Sequence, residues 1–336
     1  MKVIVLGGTG NLGYATAMQF LDHGDDVHTA ALRPARITAA FDAGVTQHTL
    51  DLFRASPEEL VSLLQGFDAM VYALGPDDRD PTPAPAREHF AALLVGQTGR
   101  IVRTARRAGV RRVVVLGSYF ATMDRMHPQW RLAERHAYIQ ARIAQAQTAI
   151  AAGEESDRAP RTEVMVLELP YVFGVTPGRV PFWKHALFDR LLAMPVVTYP
   201  RGGTITATTT QVAQAARGAV LHGEHGRCYP IGDVTMRWTE LIPRILAAVG
   251  RRPIVVTVPA ALAAPAMRAE KRAQERQGLE SGLDPLRLVP DIVARMFTFD
   301  PGPSRTALGF RAGGVSEALQ ETVRACYPDR PEPPGG

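Results

Sequence analysis

Short apolar runs alternate with helical patterns along the first 175 residues of the chain. The opening run, residues 1–6, is rich in β-branched side chains and leads through a glycine-rich segment into a helical pattern. Further apolar runs follow, at residues 27–32, 45–50, 68–74, 112–116 and 164–169. Strands that alternate with helices over short turns are typical of a parallel sheet covered on both faces. The pattern therefore predicts an α/β fold built on a doubly wound parallel sheet.

The segment between the first strand and the first helix reads GGTGNLG. Gly8, Gly10 and Gly13 fit the spacing G-x-G-x-x-G, which is typical of dinucleotide-binding turns. Glycines let the main chain approach a pyrophosphate closely, and the helix N-terminus offers N–H groups and a partial positive charge. The alternative is a plain strand–helix turn. The prediction of cofactor binding covers the whole segment: Gly7, Gly8, Thr9, Gly10, Asn11, Leu12 and Gly13.

The end of the second strand bears on the choice between NAD and NADP. An acidic side chain there accepts hydrogen bonds from the adenosine ribose of NAD, whereas a base accommodates the 2′-phosphate of NADP. Here the strand runs into Arg33, and no carboxylate is present at that point. We therefore expect NADP(H) to be preferred, with NAD(H) still able to bind. The alternative is that Arg33 is a solvated loop residue in an arginine-rich chain.

Two further positions at strand ends are expected to face the cofactor. Asp51 follows the third strand, where an acidic group can accept a hydrogen bond from the adenine amino group. Gly75 follows the fourth strand, where its backbone is expected to lie against the diphosphate and ribose.

Beyond residue 175 the strict alternation of strand and helix ends. We therefore predict a dinucleotide-binding domain over residues 1–175 and a smaller mixed α/β substrate lobe over residues 176–328, some segments of which return to the sheet. Residues 329–336 are rich in proline and predict a disordered tail.

Composition and charge exclude several classes of protein. The net charge is +5, but the basic residues are mostly arginines scattered along the chain, and a nucleic-acid partner is not expected. No apolar run is long enough to predict a membrane span, and the start does not read as a signal peptide. Cys228 and Cys326 are far apart and are expected to be reduced thiols of a cytoplasmic protein. No cluster has the spacing of metal ligands, so no metal is expected.

Further motifs follow the glycine turn in a fixed order over nearly the whole chain. They are Asp51-Leu52, Ala73 to Gly75, Ser118, a tyrosine-bearing helix, LELPYVFG at 167–174, RCYPIGD at 227–233, WTELIPRILAAVG at 238–250 and TALGF at 306–310. This ordered set resembles the extended or atypical short-chain dehydrogenases/reductases, a group that includes nucleotide-sugar epimerases and dihydroflavonol-type reductases. The resemblance implies a Rossmann-type cofactor domain, a small-molecule substrate and a homodimer formed through the long helices. It also implies cofactor contacts from Leu52, Ala73, Leu74, Pro170 and Val172.

The family pairs a catalytic tyrosine with a lysine four residues later and an upstream serine. A tyrosine hydroxyl has a reference pKa near 10, so a neighbouring cation must stabilise the phenolate for proton exchange at neutral pH. By this resemblance the catalytic residues are Tyr138, Arg142 and Ser118, with arginine in place of lysine. Arginine supplies the positive charge but cannot relay a proton. Either Arg142 supports Tyr138 in a modified oxidoreductase, or the pair is degenerate and Tyr138 is an ordinary helix residue.

Other polar side chains lie close to this helix in the sequence. They are Tyr119, Asp124, His127 and His136. A lone histidine in such a place is more often structural than catalytic, and we expect that here.

The sequence favours an NADPH-dependent ketoreductase or alcohol dehydrogenase that acts on a small carbonyl or secondary metabolite, with Tyr138 as the proton donor. A nucleotide-sugar epimerase or dehydratase is the alternative among enzymes. A non-catalytic redox sensor that binds NADP is the alternative from a different class, and a degenerate Tyr138/Arg142 pair would suit it.

Overall fold

Strands and helices alternate from the start of the chain, as the apolar runs predict. The computed structural model describes residues 1–78, 80–154, 161–252 and 254–330. Up to residue 173 its elements are β1 Lys2–Leu6, α1 Asn11–Leu21, β2 Asp26–Ala31, α2 Ala39–Gly44, β3 Val45–Thr49, α3 Pro57–Leu64, β4 Ala69–Tyr72, β5 Thr82–Pro83, α4 Ala86–Phe90, α5 Gln97–Arg107, β6 Arg112–Ser118, α6 Phe120–Met126, α7 Leu132–Arg135, α8 Ala137–Glu154, β7 Glu163–Leu169 and β8 Tyr171–Phe173.

The second half of the chain has shorter strands. Its elements are α9 Asp189–Ala193, β9 Val197–Tyr199, β10 Gly203–Thr208, α10 Thr209–His222, β11 Cys228–Pro230, β12 Val234–Arg237, α11 Trp238–Ala247, β13 Val255–Thr257, α12 Ala264–Arg276, β14 Leu279–Glu280, α13 Pro285–Leu288, β15 Met296–Phe297, α14 Gly302–Leu308 and α15 Val315–Cys326. Segments of π-helix occupy Ala91–Gly96, Lys184–Phe188 and Val289–Val293, and short 3₁₀ turns occupy Pro128–Trp130 and Ala260–Ala263.

Seven of the described strands form one parallel sheet in the order β11-β7-β6-β4-β1-β2-β3. From β1 in the interior, the chain moves through β2 to β3 on one side and through β4, β6 and β7 to β11 on the other. The order reverses between β1 and β4, and sheets of this type bind ligands at the carboxyl ends of the strands next to that point. The predicted doubly wound, Rossmann-type fold is confirmed.

Both faces of this sheet are buried, which explains the nearly continuous apolar strands. Val3 and Val5 face a cluster with α1 and α10, whereas Ile4 and Leu6 face a cluster with α3, α5 and α8. All four of these side chains have no solvent exposure. The alternation of side chains along β1 therefore supplies the core on both faces from a single strand.

A second group of strands is centred on β10, which pairs with β8, β12 and β15. Its core contains Trp183 and Trp238, and Trp183 is only 2% exposed. The strand β11 lies well beyond residue 175, yet it pairs in parallel with β7, placing Cys228 beside Val166. The chain therefore returns to the large sheet after it has begun the smaller group of strands.

Two segments between the longer elements contain short regular structure. Residues 121–131 contain most of α6 and a 3₁₀ turn. Residues 76–86 contain β5, which pairs with β14. Of the predicted tail 329–336, residues 331–336 lie outside the described residues.

Among the helices that are described, none has both the length and the apolar character needed to cross a membrane.

Candidate cofactor and catalytic site

The glycine-rich segment forms a tight turn at the carboxyl end of β1, between β2 and β4. Gly7 adopts φ +81° and donates its N–H to the Ala30 carbonyl oxygen at 2.9 Å. A Cβ at Gly7 would lie 2.6 Å from the Ala73 carbonyl oxygen. A Cβ at Gly13 would overlap the Gly7 carbonyl oxygen. The turn and its contact with α1 therefore require residues without a side chain at both positions.

The start of α1 leaves room for an anion. Gly10 precedes the helix in an extended conformation, with φ −80° and ψ 172°. Among the described residues, a Cβ at Gly10 would meet only the Gly7 carbonyl oxygen, at 3.3 Å, and would otherwise project into open space. That open side and the unsatisfied N–H groups of the first helical turn fit the pyrophosphate of a dinucleotide. The turn also contains Gly8, Thr9, Asn11 and Leu12.

The segment after β4 adjoins the glycine turn. Ala73 donates its N–H to the Leu6 carbonyl oxygen at 3.0 Å, and a Cβ at Gly7 would touch Leu74 at 2.9 Å. Gly75 follows with φ +127°. The structure thus brings Ala73 and Leu74, both predicted cofactor contacts, against the turn.

Arg33 lies exposed two residues after the end of β2. The loop that carries it is held by Gln47 of β3, whose amide accepts the Ala35 N–H at 2.9 Å and donates to the Ala35 carbonyl oxygen at 3.0 Å. Residues 32–38 contain no acidic side chain. This anchored loop presents a cation and no carboxylate at the end of β2.

The segment after β3 has local partners that the sequence did not indicate. Asp51 accepts the N–H groups of Phe53 and Arg54 at 3.1 and 3.3 Å, and so stabilises its own turn. Leu52 is buried, and its carbonyl oxygen accepts a hydrogen bond from Arg100 at 2.6 Å. Both residues therefore support the turn itself.

The chain after β7 reaches back to the glycine turn. Pro170 separates β7 from β8, and Val172 lies in β8. The Val172 carbonyl oxygen accepts the indole N–H of Trp183 at 2.8 Å. This predicted cofactor contact is therefore bonded to a tryptophan in the core of the second group of strands. Four residues on, the Thr176 hydroxyl donates to Asn11 Oδ1 at 3.2 Å.

Tyr138 and Arg142 are neighbours on one face of α8, as their spacing predicts. Arg142 Nε donates to the Tyr138 hydroxyl at 2.8 Å, and the guanidinium carbon lies 5.0 Å from the centroid of the tyrosine ring. Tyr138 is 3% exposed and packs edge-on against Phe90 and Phe120. The arginine therefore delivers a positive charge directly to the hydroxyl in a largely apolar setting.

Ser118 ends β6 and is 8% exposed. Its Oγ accepts the Phe120 N–H at 3.4 Å. Because the Phe120 ring lies 6.2 Å from the Tyr138 ring, the serine and the tyrosine approach the same aromatic cluster.

The other polar candidates have structural partners. His136 is fully buried, and its Nδ1 accepts the Asp284 N–H at 3.1 Å. Burial lowers the pKa of His136 to about 4, although Asp291, 3.7 Å away, acts in the opposite direction. His127 stacks on Trp130, with ring centroids 3.9 Å apart. The expectation of a structural role for the histidines agrees with these contacts.

Two residues of this site were missed from the sequence. Gln145 accepts a hydrogen bond from Arg142 Nη1 at 2.8 Å, and Gln145 Nε2 donates to Thr98 Oγ1 at 2.9 Å. The i, i+3 spacing from Arg142 to Gln145 can be read from the sequence, whereas the contact of Gln145 with Thr98 of α5 cannot. Within the described ranges, no group of three or more His, Cys, Asp or Glu side chains is arranged to hold a metal ion.

The fold and the site define a dinucleotide-binding α/β protein. Residues 7–156 match the family model for NAD(P)H-binding proteins, and this segment is an NAD(P)H-binding domain. A comparison with curated proteins finds no match.

Solved structures share the architecture over nearly their whole length. The protein gox2253 has a TM-score of 0.73 at 16% identity, with 96% of this chain and 97% of that chain covered. A nucleoside-diphosphate-sugar epimerase from Pseudomonas aeruginosa has a TM-score of 0.67 at 18% identity, with 98% of each chain covered. The UDP-glucose 4-epimerase from Bifidobacterium longum, solved with NAD⁺ and UDP, has a TM-score of 0.68 at 12% identity, with 97% of this chain and 98% of that chain covered. The predicted fold and the cofactor-binding segment are thereby confirmed, in agreement with the resemblance to the extended short-chain dehydrogenases/reductases.

Proposed function

We propose that the protein is an NADPH-dependent reductase that converts a small carbonyl substrate to an alcohol, with Tyr138 as proton donor. The observation that carries the proposal is the 2.8 Å hydrogen bond from Arg142 Nε to the Tyr138 hydroxyl. If the pair had lost its catalytic role, nothing would require the arginine cation to contact the phenol oxygen. In the active protein this contact stabilises the phenolate that remains when the proton has left.

When bound, NADPH supplies the hydride that reduces the carbonyl carbon. Tyr138 gives its hydroxyl proton to the carbonyl oxygen, and Ser118 holds that oxygen by a hydrogen bond. Arg142 stays protonated throughout, because a guanidinium does not titrate near neutral pH. Tyr138 recovers its proton from solvent by a route that does not pass through deprotonated Arg142.

The proposal extends to the residues that hold the cofactor. We propose that the turn from Gly7 to Gly13 holds the pyrophosphate, that Arg33 pairs with the 2′-phosphate and that Asp51 meets the adenine. The segments Ala73 to Gly75 and Pro170 to Val172 face the ribose and the nicotinamide. Residues 1–175 form the cofactor domain and residues 176–328 supply most of the substrate lobe, in a homodimer.

A nucleotide-sugar epimerase or dehydratase is the second candidate. It is favoured by the likeness to solved sugar-nucleotide epimerases over nearly the whole chain. Arginine at position 142 and the lack of an acidic residue after β2 count against it. A non-catalytic redox sensor is the candidate from another class, and the Arg142–Tyr138 contact counts against it.

The test is to mix the purified protein with NADPH and a panel of ketones and to follow the absorbance of the reduced nicotinamide. We expect turnover, and a loss of about 100-fold or more in kcat for Tyr138→Phe, which is the range for removal of a general acid. Tyr327→Phe is the matched control, because its hydroxyl contacts Asp189 of α9 and it packs against a different hydrophobic cluster from Tyr138. Interconversion of UDP-sugars with no net loss of NADPH would support the epimerase. Cofactor binding without turnover of either kind would support the sensor.

A further inference from the structure

The Arg142 guanidinium is held on three sides by acceptors of this chain. Besides the Tyr138 hydroxyl, it donates to Gln145 Oε1 from Nη1 at 2.8 Å and to the Pro76 carbonyl oxygen from Nη2 at 3.4 Å. A guanidinium is planar, so fixing the ends at Nη1 and Nη2 also fixes the direction of its Nε–H. The contact with Tyr138 therefore depends on what holds those two ends.

Gln145 is the better-defined of these two partners. It is 1% exposed, and Thr98, which accepts from its amide nitrogen at 2.9 Å, is fully buried. Arg142 can only donate hydrogen bonds, so the Gln145 amide oxygen must face Arg142 and the amide nitrogen must face Thr98. The glutamine side chain thus has one satisfied orientation, and reversing it would leave buried polar atoms unpaired.

The packing of two helices brings these residues together. Gln145 lies on α8, one turn beyond Arg142, and Thr98 lies at the start of α5. The helices approach closely at this level, since a Cβ at Gly99 would lie 2.7 Å from the Thr148 methyl group. Tyr72 of β4 lies in the same buried region: burial raises its pKa, while Thr98, Arg142 and Arg100 act to lower it.

We propose that Gln145 and Thr98 are positioning residues, which hold the Arg142 guanidinium so that its Nε–H points at the Tyr138 hydroxyl. Lysine needs no such support, because an ammonium donates in several directions from one nitrogen. Arginine at this position needs a fixed plane, and the buried pair from α8 and α5 supplies it. The inference deepens the proposed role of Tyr138 as an acid and rests on it.

The experiment measures the titration of Tyr138 itself, by fluorine NMR of protein labelled with 3-fluorotyrosine. The Tyr138→Phe variant identifies the resonance. We expect Gln145→Leu to move the midpoint to higher pH by about one unit, because Arg142 then loses its direction toward the phenol. Thr98→Val should shift it in the same sense, and Thr98→Ser, which keeps the hydroxyl, should restore it.

Gln147→Leu is the matched control, since Gln147 is exposed on the same helix. A midpoint for Gln145→Leu equal to that of Gln147→Leu would overturn the proposal. Equal midpoints for Thr98→Val and Thr98→Ser would also overturn the proposal. This second comparison tests it even if the Gln145→Leu variant does not fold. The titration needs neither cofactor nor substrate. A shift in the titration without any turnover would overturn only the proposed reductase, and turnover without a shift would overturn only the positioning role.

Discussion

Arg142 Nε lies 2.8 Å from the hydroxyl oxygen of Tyr138, one helical turn earlier on α8. At this position the chain has arginine where the family pattern has lysine. The arginine brings the same positive charge, but on a rigid planar group whose hydrogen bonds have fixed directions.

Removing the cation should make the Tyr138 phenolate harder to form. We expect Arg142→Met to move the Tyr138 titration to higher pH by about one to two units, and Arg142→Lys to shift it less, because the charge remains. Fluorine NMR of the labelled protein measures both. Arg107→Met, at an exposed position of α5, serves as the control. Equal midpoints for Arg142→Met and Arg107→Met would show that the guanidinium has no effect on the phenol.

The glycine turn should not tolerate a methyl group at the start of α1. We expect Gly13→Ala to weaken NADPH binding by about tenfold or more and to lower the free energy of unfolding by about 1–3 kcal/mol, because its Cβ would overlap the Gly7 carbonyl oxygen. Calorimetry and urea unfolding measure the two effects. Gly96→Ala is the control, because its Cβ would meet Ala91 at an ordinary 3.7 Å. Unchanged affinity in Gly13→Ala would place the cofactor elsewhere.

Arg33 should determine the preference for NADPH over NADH. We expect Arg33→Ala to lower the affinity for NADPH by about tenfold and to leave the affinity for NADH unchanged, because only NADPH carries the 2′-phosphate that an arginine can pair with. Titration of the protein with each cofactor measures the ratio. Arg36→Ala, in the same loop, tests whether position matters as well as charge. An equal loss for both cofactors would contradict the assignment of Arg33 to the phosphate.

His136 should make the fold sensitive to acid. Its pKa is about 4 in the folded chain and near 6.5 when unfolded, so the unfolded chain binds more protons between these values. Stability from this group is complete above pH 6.5 and is lost as the pH falls toward 4, by on the order of 3 kcal/mol. Urea unfolding of the wild type and of His136→Asn across this range measures the difference. Parallel pH dependence in the two proteins would show that His136 does not carry the effect.

Much of the cofactor half follows from local sequence. The β-branched run before Gly7 and the helical pattern after Gly13 predicted β1, the turn and α1. The capping box formed by Ser56 and Glu59, another local signal, begins α3. Signals of this kind act within a few residues, so they are legible without knowledge of the rest of the chain.

The second half was harder to predict for a physical reason. Residues 203–208 read GTITAT, with threonines and a glycine, yet β10 is fully buried between strands from distant segments. Burial of β10 depends on partners that lie far away in the sequence. The same holds for β5, whose pairing with β14 joins residues nearly two hundred positions apart.

The sequence by itself determined the parallel sheet, the glycine turn and the placement of Tyr138 and Arg142 on one helical face, because each depends on spacing within one element or between adjacent ones. Tertiary structure alone decided that Gln145, one turn from Arg142, meets Thr98 of α5, that His136 is buried beside Asp284 and that Trp183 binds the Val172 carbonyl oxygen. Those contacts arise from the packing of separate segments, where burial selects partners that no local pattern specifies.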